Sequence, residues 1–157
     1  MSISEKDLFD ARTAWGNGLI EISKTFENEG IEMATSLASD LIDNLYGFNF
    51  GKVLFKPTLS GGSQTFRTTK EGALSYFVGH NPAYPNDSGF GIKFWREINS
   101  DTAAIFIDDT VAMWMGWVTF IDRDGQVTKV DKSWGYKLDD VGNLRIMLHH
   151  SSLPYEL

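Results

Sequence analysis

Two adjacent histidines near the end of the chain, His149 and His150, precede Ser151 and Ser152 in the segment Leu148-His149-His150-Ser151-Ser152-Leu153-Pro154-Tyr155. Imidazole titrates near neutrality, so either ring can bind a ligand or move a proton. Lys132 and Tyr136 lie on the preceding segment and add an amine and a hydroxyl. A Ser–His–Asp arrangement can be drawn from Ser151, His149 and Asp131, but nothing in the sequence suggests a nucleophile elbow or an oxyanion hole. Asp40 and Asp43 fall in a helical segment, where acids are usually exposed. No pair of carboxylates has a spacing that compels general acid/base work.

The elements around these residues decide which of them share a face. Val111 to Ile121, Val127 to Leu138 and Leu144 to Leu153 read as three strands. The clusters Asp122-Arg123-Asp124-Gly125 and Asp139-Asp140-Val141-Gly142-Asn143 separate them, as in hairpins. The simplest registers set Trp114 opposite Trp134, Gly116 opposite Lys132, Tyr136 opposite Ile146, Trp134 opposite Leu148 and Lys132 opposite His150. Side chains alternate along strands, so Trp114, Gly116, Lys132, Trp134, Tyr136 and His150 fall on one face. That face is the more apolar at its centre. It is expected to receive the helices and to form a ligand pocket, with His150 inward.

Met113, Met115, Trp117, Asp131, Ser133, Met147, His149 and Ser151 fall on the other face. An apolar stripe of Met and Trp in a polar frame suits a partner surface. These residues are expected to form a homodimer interface, or part of a larger assembly.

Upstream, Ser4 is placed to cap a helix whose stripe is Leu8, Trp15, Leu19, Ile22 and Phe26, fading at Asn28-Glu29-Gly30. Gly16 and Gly18 interrupt it and permit either a close approach by another element or the entry of a ligand. A second helix turns Ala34, Leu37, Leu41 and Leu45 inward and stops at Gly47. Val53-Leu54-Phe55 is a short strand closed by Pro57. Thr68-x-x-Glu71 has the form of a capping box for a third helix ending at Gly79. His80 to Gly89 holds two prolines and is irregular. Its His80 and Tyr84 are candidates to close the pocket mouth. Ile92 to Ile98 and Thr102 to Ile107 read as strand segments interrupted at Asn99-Ser100-Asp101. Lys56 and Arg67 are further candidate anion contacts. Helices followed by a meander of mostly antiparallel strands make the fold class α+β.

Composition narrows the function classes. The 157 residues suggest a single domain, 1–157. A formal net charge of −7 disfavours nucleic acid and anionic membrane as partners. No cysteine is present, which removes disulfides and thiolate ligands, and the three histidines show no H-E-x-x-H spacing. No metal site and no cofactor are expected. No apolar run reaches about 18 residues, so no membrane span is expected and a cytoplasmic location is the default.

The element order resembles the nuclear transport factor 2-like, or SnoaL-like, superfamily: leading helices, then a strongly bent sheet forming a cone. The terminal Ile146-Met147-Leu148-His149-His150-Ser151-Ser152-Leu153-Pro154 is similar to the last strand of the calcium/calmodulin-dependent protein kinase II association domain and its bacterial relatives. That resemblance implies a cone pocket on three neighbouring strands, where the association domain carries arginines. The matching positions here are Gly116, Trp134 and His150. The superfamily contains isomerases, dehydratases, hydrolases and non-catalytic domains, so fold alone does not choose among them. The expectation is a homo-oligomeric domain that binds a small, partly apolar molecule such as an organic acid, with no catalytic residue assigned. The alternatives are a cofactor-independent isomerase, dehydratase or hydrolase using a pocket His, and a pure assembly domain.

Overall fold

A computed structural model describes residues 1–157. Helix α1 spans Glu5–Glu29 and α2 spans Ile31–Leu45. They are followed by β1 (Leu54–Lys56), α3 (Lys70–Val78), β2 (Trp95–Asp108), β3 (Val111–Asp122), β4 (Val127–Leu138) and β5 (Leu144–Ser152). The sheet order is β1-β5-β4-β3-β2. Only the β1–β5 pair is parallel; β2 to β5 form an antiparallel meander. The fold is the expected α+β cone, with helices packed on one face of a bent sheet.

Helix α1 begins with a reciprocal cap: Ser4 Oγ accepts from the Asp7 N–H and the Asp7 carboxylate accepts from the Ser4 N–H. Its stripe of Leu8, Trp15, Leu19 and Ile22 is fully buried. Gly18 supplies the close approach, since a Cβ there would meet Leu41 Cδ1 at 2.4 Å. In α2 the deepest residues are Ala34, Ala38 and Ile42, while Leu37, Leu41 and Leu45 pack beside them, half-buried. Small side chains on the deepest line let α2 lie close to its neighbours.

Three expectations shift locally. The cap of α3 is Thr69, whose side chain accepts from the Gly72 N–H, one residue later than the Thr68 pattern suggests. Strand β2 runs unbroken through Asn99-Ser100-Asp101, with irregularities near Trp95/Glu97 and Thr102/Ala104 that absorb the bend. The irregular segment after α3 is clamped. Arg67 donates to both Asp87 carboxylate oxygens at 2.7 Å, Ser75 donates to the same carboxylate, and the Tyr84 ring lies 4.6 Å from the Arg67 guanidinium.

The main correction lies in β5. Tyr136 pairs with Ile146 as expected, but Gly135 pairs with Leu148, Trp134 with His149, Ser133 with His150 and Lys132 with Ser151. Met147 is the extra residue of a bulge. Because the side-chain period is two, one extra residue exchanges every later face. His149 and Ser151 therefore point into the concave core, at 1% and 0% exposure, and His150 points out. The expectation that His150 lines the pocket while His149 and Ser151 form a dimer surface is reversed. Gly135 makes the bulge cheap: a Cβ there would lie 2.9 Å from Leu148 Cβ.

Candidate active site

The bulge brings His149 into a polar chain at the bottom of the cone. Its Nδ1 lies 2.8 Å from the Tyr46 hydroxyl and its Nε2 lies 2.9 Å from Lys132 Nζ. Tyr46 closes α2, where Arg145 donates to the carbonyls of Asp43 and Asn44 and fixes that end of the helix. The Trp15 indole N–H donates to the Tyr46 oxygen at 3.0 Å. His149 is stacked on Phe55, ring centroids 4.6 Å apart, because β1 pairs Phe55 with His149.

The tautomer follows from donor counting. An indole only donates, so the Tyr46 oxygen accepts from Trp15 and its own proton goes to His149 Nδ1. His149 then carries its proton on Nε2, facing Lys132, which accepts only as a neutral amine. Burial supplies that state. Lys132 is 3% exposed, and its pKa is lowered to about 7 by desolvation, partly offset by Asp131. Burial, then Lys132, lowers His149 well below the usual histidine value, so it stays neutral. The rings of Trp15, Phe120 and Trp134 surround the ammonium position at 4.9, 5.7 and 5.6 Å.

Hydroxyls gather beside this chain. The Thr58 and Ser151 hydroxyls share a hydrogen bond of 2.6 Å, and Lys56 Nζ donates to the Ser151 carbonyl. Tyr76 on α3 accepts from the Leu59 N–H, and its pKa is pushed up to about 12 by burial, with that N–H and Thr58 opposing. Thr58, Tyr76, Lys132 and His149 line one void, closed by Trp15, Phe55, Phe77 and Phe90 and too tight to hold a water molecule unless its side chains move apart. The site thus offers one neutral imidazole, one amine poised near neutrality and three hydroxyls in an apolar shell. No three His, Cys, Asp or Glu side chains converge anywhere as a metal set.

The sequence-selected residues divide. Lys132, Trp134, Tyr136 and Trp114 lie buried on the concave face. Lys132 and Trp134 border His149, whereas Trp114 packs on Trp134 and donates to Thr102. Gly116 is filled by the close approach of the Asp101 carbonyl and the Trp114 ring. His150 lies on an outer groove with Leu54, Phe66 and Leu148. His80 is exposed and donates to the Val78 carbonyl; neither it nor Tyr84 lines the void. Arg67 is consumed by Asp87 and Lys56 by Ser151. On the convex face, Met113, Met115 and Trp117 are exposed, Asp131 and Ser133 half-exposed, and Met147 is turned against Gly47 by the bulge. Sequence reasoning missed Trp15, Tyr46, Thr58 and Tyr76. Their one signal is general: a tyrosine near a helix end in a core must find a polar partner.

Three comparisons bear on this geometry. A protein 49% identical over 155 residues, covering 99% of this chain and 76% of that protein, is the "Metal-independent carbonic anhydrase" of Nostoc sp. (strain PCC 7120). A crystal structure of the iota-carbonic anhydrase from a cyanobacterium, complexed with bicarbonate, superposes with a TM-score of 0.98 at 49% identity, covering 99% of this chain and 95% of that one. A putative calcium/calmodulin-dependent protein kinase II association domain from Xanthomonas campestris superposes at 0.59 with 21% identity, covering 96% and 85%. The association-domain kinship is therefore one of fold. The expectation of a ligand binder without catalysis, with isomerase, dehydratase or hydrolase as alternatives, is overturned by the first two likenesses and by the family model "Metal-independent carbonic anhydrase", which matches residues 6–153. With that match spanning nearly its whole length, the chain belongs to the metal-independent carbonic anhydrase family.

Proposed function

We propose that the chain catalyses the reversible hydration of carbon dioxide to bicarbonate at the void lined by Thr58, Tyr76, Lys132 and His149, with the Ser151 hydroxyl bonded to Thr58 at its side. The observation that carries this is the buried Lys132–His149–Tyr46 chain facing a cluster of hydroxyls. The bicarbonate complex of the cyanobacterial protein, 49% identical, supports it.

The chemistry has two demands. A water must lose a proton as its oxygen bonds to carbon, and negative charge must be received on the two former carbon dioxide oxygens. Neutral Lys132 turns its lone pair from the His149 Nε2–H to the water and takes the proton, becoming an ammonium faced by the rings of Trp15, Phe120 and Trp134, while His149 and Tyr46 keep their own protons. The Thr58 and Ser151 hydroxyls, bonded to each other at 2.6 Å, open to donate to the developing carboxylate, and Tyr76 is the third donor. The apolar shell strengthens each of these hydrogen bonds by excluding water. Lys132 then returns its proton to solvent. A buried tyrosine held above its usual pKa stays protonated and remains a donor throughout.

The test is stopped-flow hydration of carbon dioxide by protein freed of metal with chelator, for wild type, Lys132→Met and the Thr58→Val/Ser151→Ala pair. Catalysis by wild type that falls in both variants supports the reading. No rate above the uncatalysed one in wild type would sink it.

The same reading includes self-association through the convex face. Phe106, Met113, Met115 and Trp117 are 56, 47, 57 and 36% exposed, and β2–β3 pairing places Phe106 beside Met113. Burying a side chain of this size contributes about 1.5–3 kcal/mol. A two-fold copy presenting the same patch covers it. Sedimentation of Met115→Asp is expected to show dissociation relative to wild type; a monomeric wild type at micromolar concentration contradicts it.

A further inference from the structure

A second polar cluster sits beyond the Trp15–Trp134 pair, and the hydration reading makes no use of it. Arg12, on the buried side of α1, is 9% exposed. Its Nε donates to Ser100 at 3.2 Å and its guanidinium lies 4.9 Å from the Trp114 ring. No carboxylate pairs with it: Arg12 belongs to none of the ion pairs of the molecule. Its Nη1 is buried with no hydrogen-bond partner, and so are the Trp134 indole N–H, at 1% exposure, and the Tyr136 hydroxyl, at 2%.

Buried polar groups in folded proteins are nearly always satisfied, so three together in one neighbourhood call for an explanation. Two of the three, Arg12 and Trp134, line the same cavity of about 270 Å³ between α1 and β2 to β4. Thr13, Asn17, Asn99 and Ser100 complete its polar wall. The unpaired atoms share one character. Guanidinium and indole N–H groups only donate, and a phenol buried this deeply keeps its proton to donate. Donors with one uncompensated positive charge define an anion site. The cavity exceeds several times the roughly 30 Å³ share of one water, so a small anion fits with water beside it.

We infer that this cavity is a second anion site, distinct from the reaction void, which takes a small inorganic anion of the class that includes bicarbonate and the halides. Arg12 supplies the charge and Trp134 Nε1 a neutral donor, with the Tyr136 hydroxyl beside them. A planar oxyanion suits the flat guanidinium edge better than a spherical halide, since two of its oxygens accept in parallel. The site shares Trp15 and Trp134 with the neighbourhood of His149, at ring distances of 5.7 and 5.1 Å. An anion there alters the indole environment directly, which gives the site its own optical signal.

The experiment titrates bicarbonate, nitrate and bromide at constant ionic strength, read by tryptophan fluorescence and calorimetry. It uses Ser151→Ala, in which a donor of the reaction void is removed, alone and combined with Arg12→Met. Saturable binding to Ser151→Ala that weakens at least tenfold on adding Arg12→Met supports the site. Selectivity for bicarbonate makes it a product site, and comparable binding of all three makes it a general anion site. Equal titrations with and without Arg12, or no saturable binding by any anion, overturn it. Should Arg12→Met fail to fold, a bromide soak of wild-type crystals decides. An anomalous peak between Arg12 and Trp134 supports the proposal and an ordered water network there refutes it.

Discussion

The two polar clusters that meet at the Trp15–Trp134 pair are built to opposite rules. Around His149 every imidazole nitrogen, the Tyr46 oxygen and the Thr58 and Ser151 hydroxyls have partners inside the protein. Around Arg12 the guanidinium, an indole and a phenol keep unpaired donors. A closed network holds the His149 ring and its neighbours in position before a substrate arrives, so that only the Thr58–Ser151 bond has to open to receive developing charge. An open set of donors holds charge that only a ligand can balance, at a cost to the free protein. Satisfaction thus marks the proposed reaction site and its lack marks the proposed binding site, although both lie on one apolar face of one sheet.

The sharpest way to break this contrast is Lys132→Met. If Lys132 is the proton acceptor, hydration falls by about 10²–10⁴-fold, the ordinary worth of a positioned acid/base. The wild-type rate rises with pH through about 7 as the amine loses its proton, and the variant lacks that rise. Stability carries the same signature. The folded state releases the Lys132 proton near 7 whereas the unfolded chain holds it to 10.5, so the unfolded state binds more protons between those values. Wild-type stability therefore gains from this group as pH climbs from 7 toward 10.5, and the gain is absent in Lys132→Met. Chemical denaturation at pH 6 and pH 9 measures the difference.

Next in size is the hydroxyl pair. Thr58→Val with Ser151→Ala removes both partners of one bond, so folding changes little while hydration drops by about 10²–10³-fold. Ser151→Ala alone leaves Thr58 buried without its partner and costs about 1–3 kcal/mol in a denaturation midpoint. A double variant less stable than the single one contradicts this accounting.

Tyr46→Phe tests closure itself. It strands the Trp15 N–H and His149 Nδ1 together, and about 2–4 kcal/mol of unfolding free energy is expected to go. The smallest effect belongs to the open cluster. Bicarbonate at ten times its Kd stabilises a folded protein by about 1.4 kcal/mol. The Arg12→Met variant is expected to lose the share bound between Arg12 and Trp134, read as the bicarbonate-dependent shift in Tm.

Much of the architecture was legible from local pattern. The stripe Leu8, Trp15, Leu19 and Ile22, the Asp/Gly turns and the alternation of β3 and β4 are properties of neighbouring residues, and period alone assigns them to faces. Lys132, Trp134 and Tyr136 were placed on the concave side for this reason. The face of β5 was not legible, because it depends on one unpaired residue, Met147, beside the Gly135–Leu148 pair, and the alternation of β5 itself carries no mark of the slip. Strand β1 was legible as a short strand, but its parallel pairing with β5, which carries Phe55 onto His149 and leads into Thr58, was not.

By itself, then, the sequence determined which elements form, their order, and the concave position of Lys132. The tertiary structure alone decided that His149 rather than His150 meets that lysine. It also decided that Tyr46 from a helix end, Thr58 from a loop and Tyr76 from α3 join them. The physical reason is range. Alternation and capping are fixed by atoms a few residues apart, whereas a bulge is chosen by whichever register buries His149 against Tyr46, 103 residues earlier, and Ser151 against Thr58, 93 residues earlier.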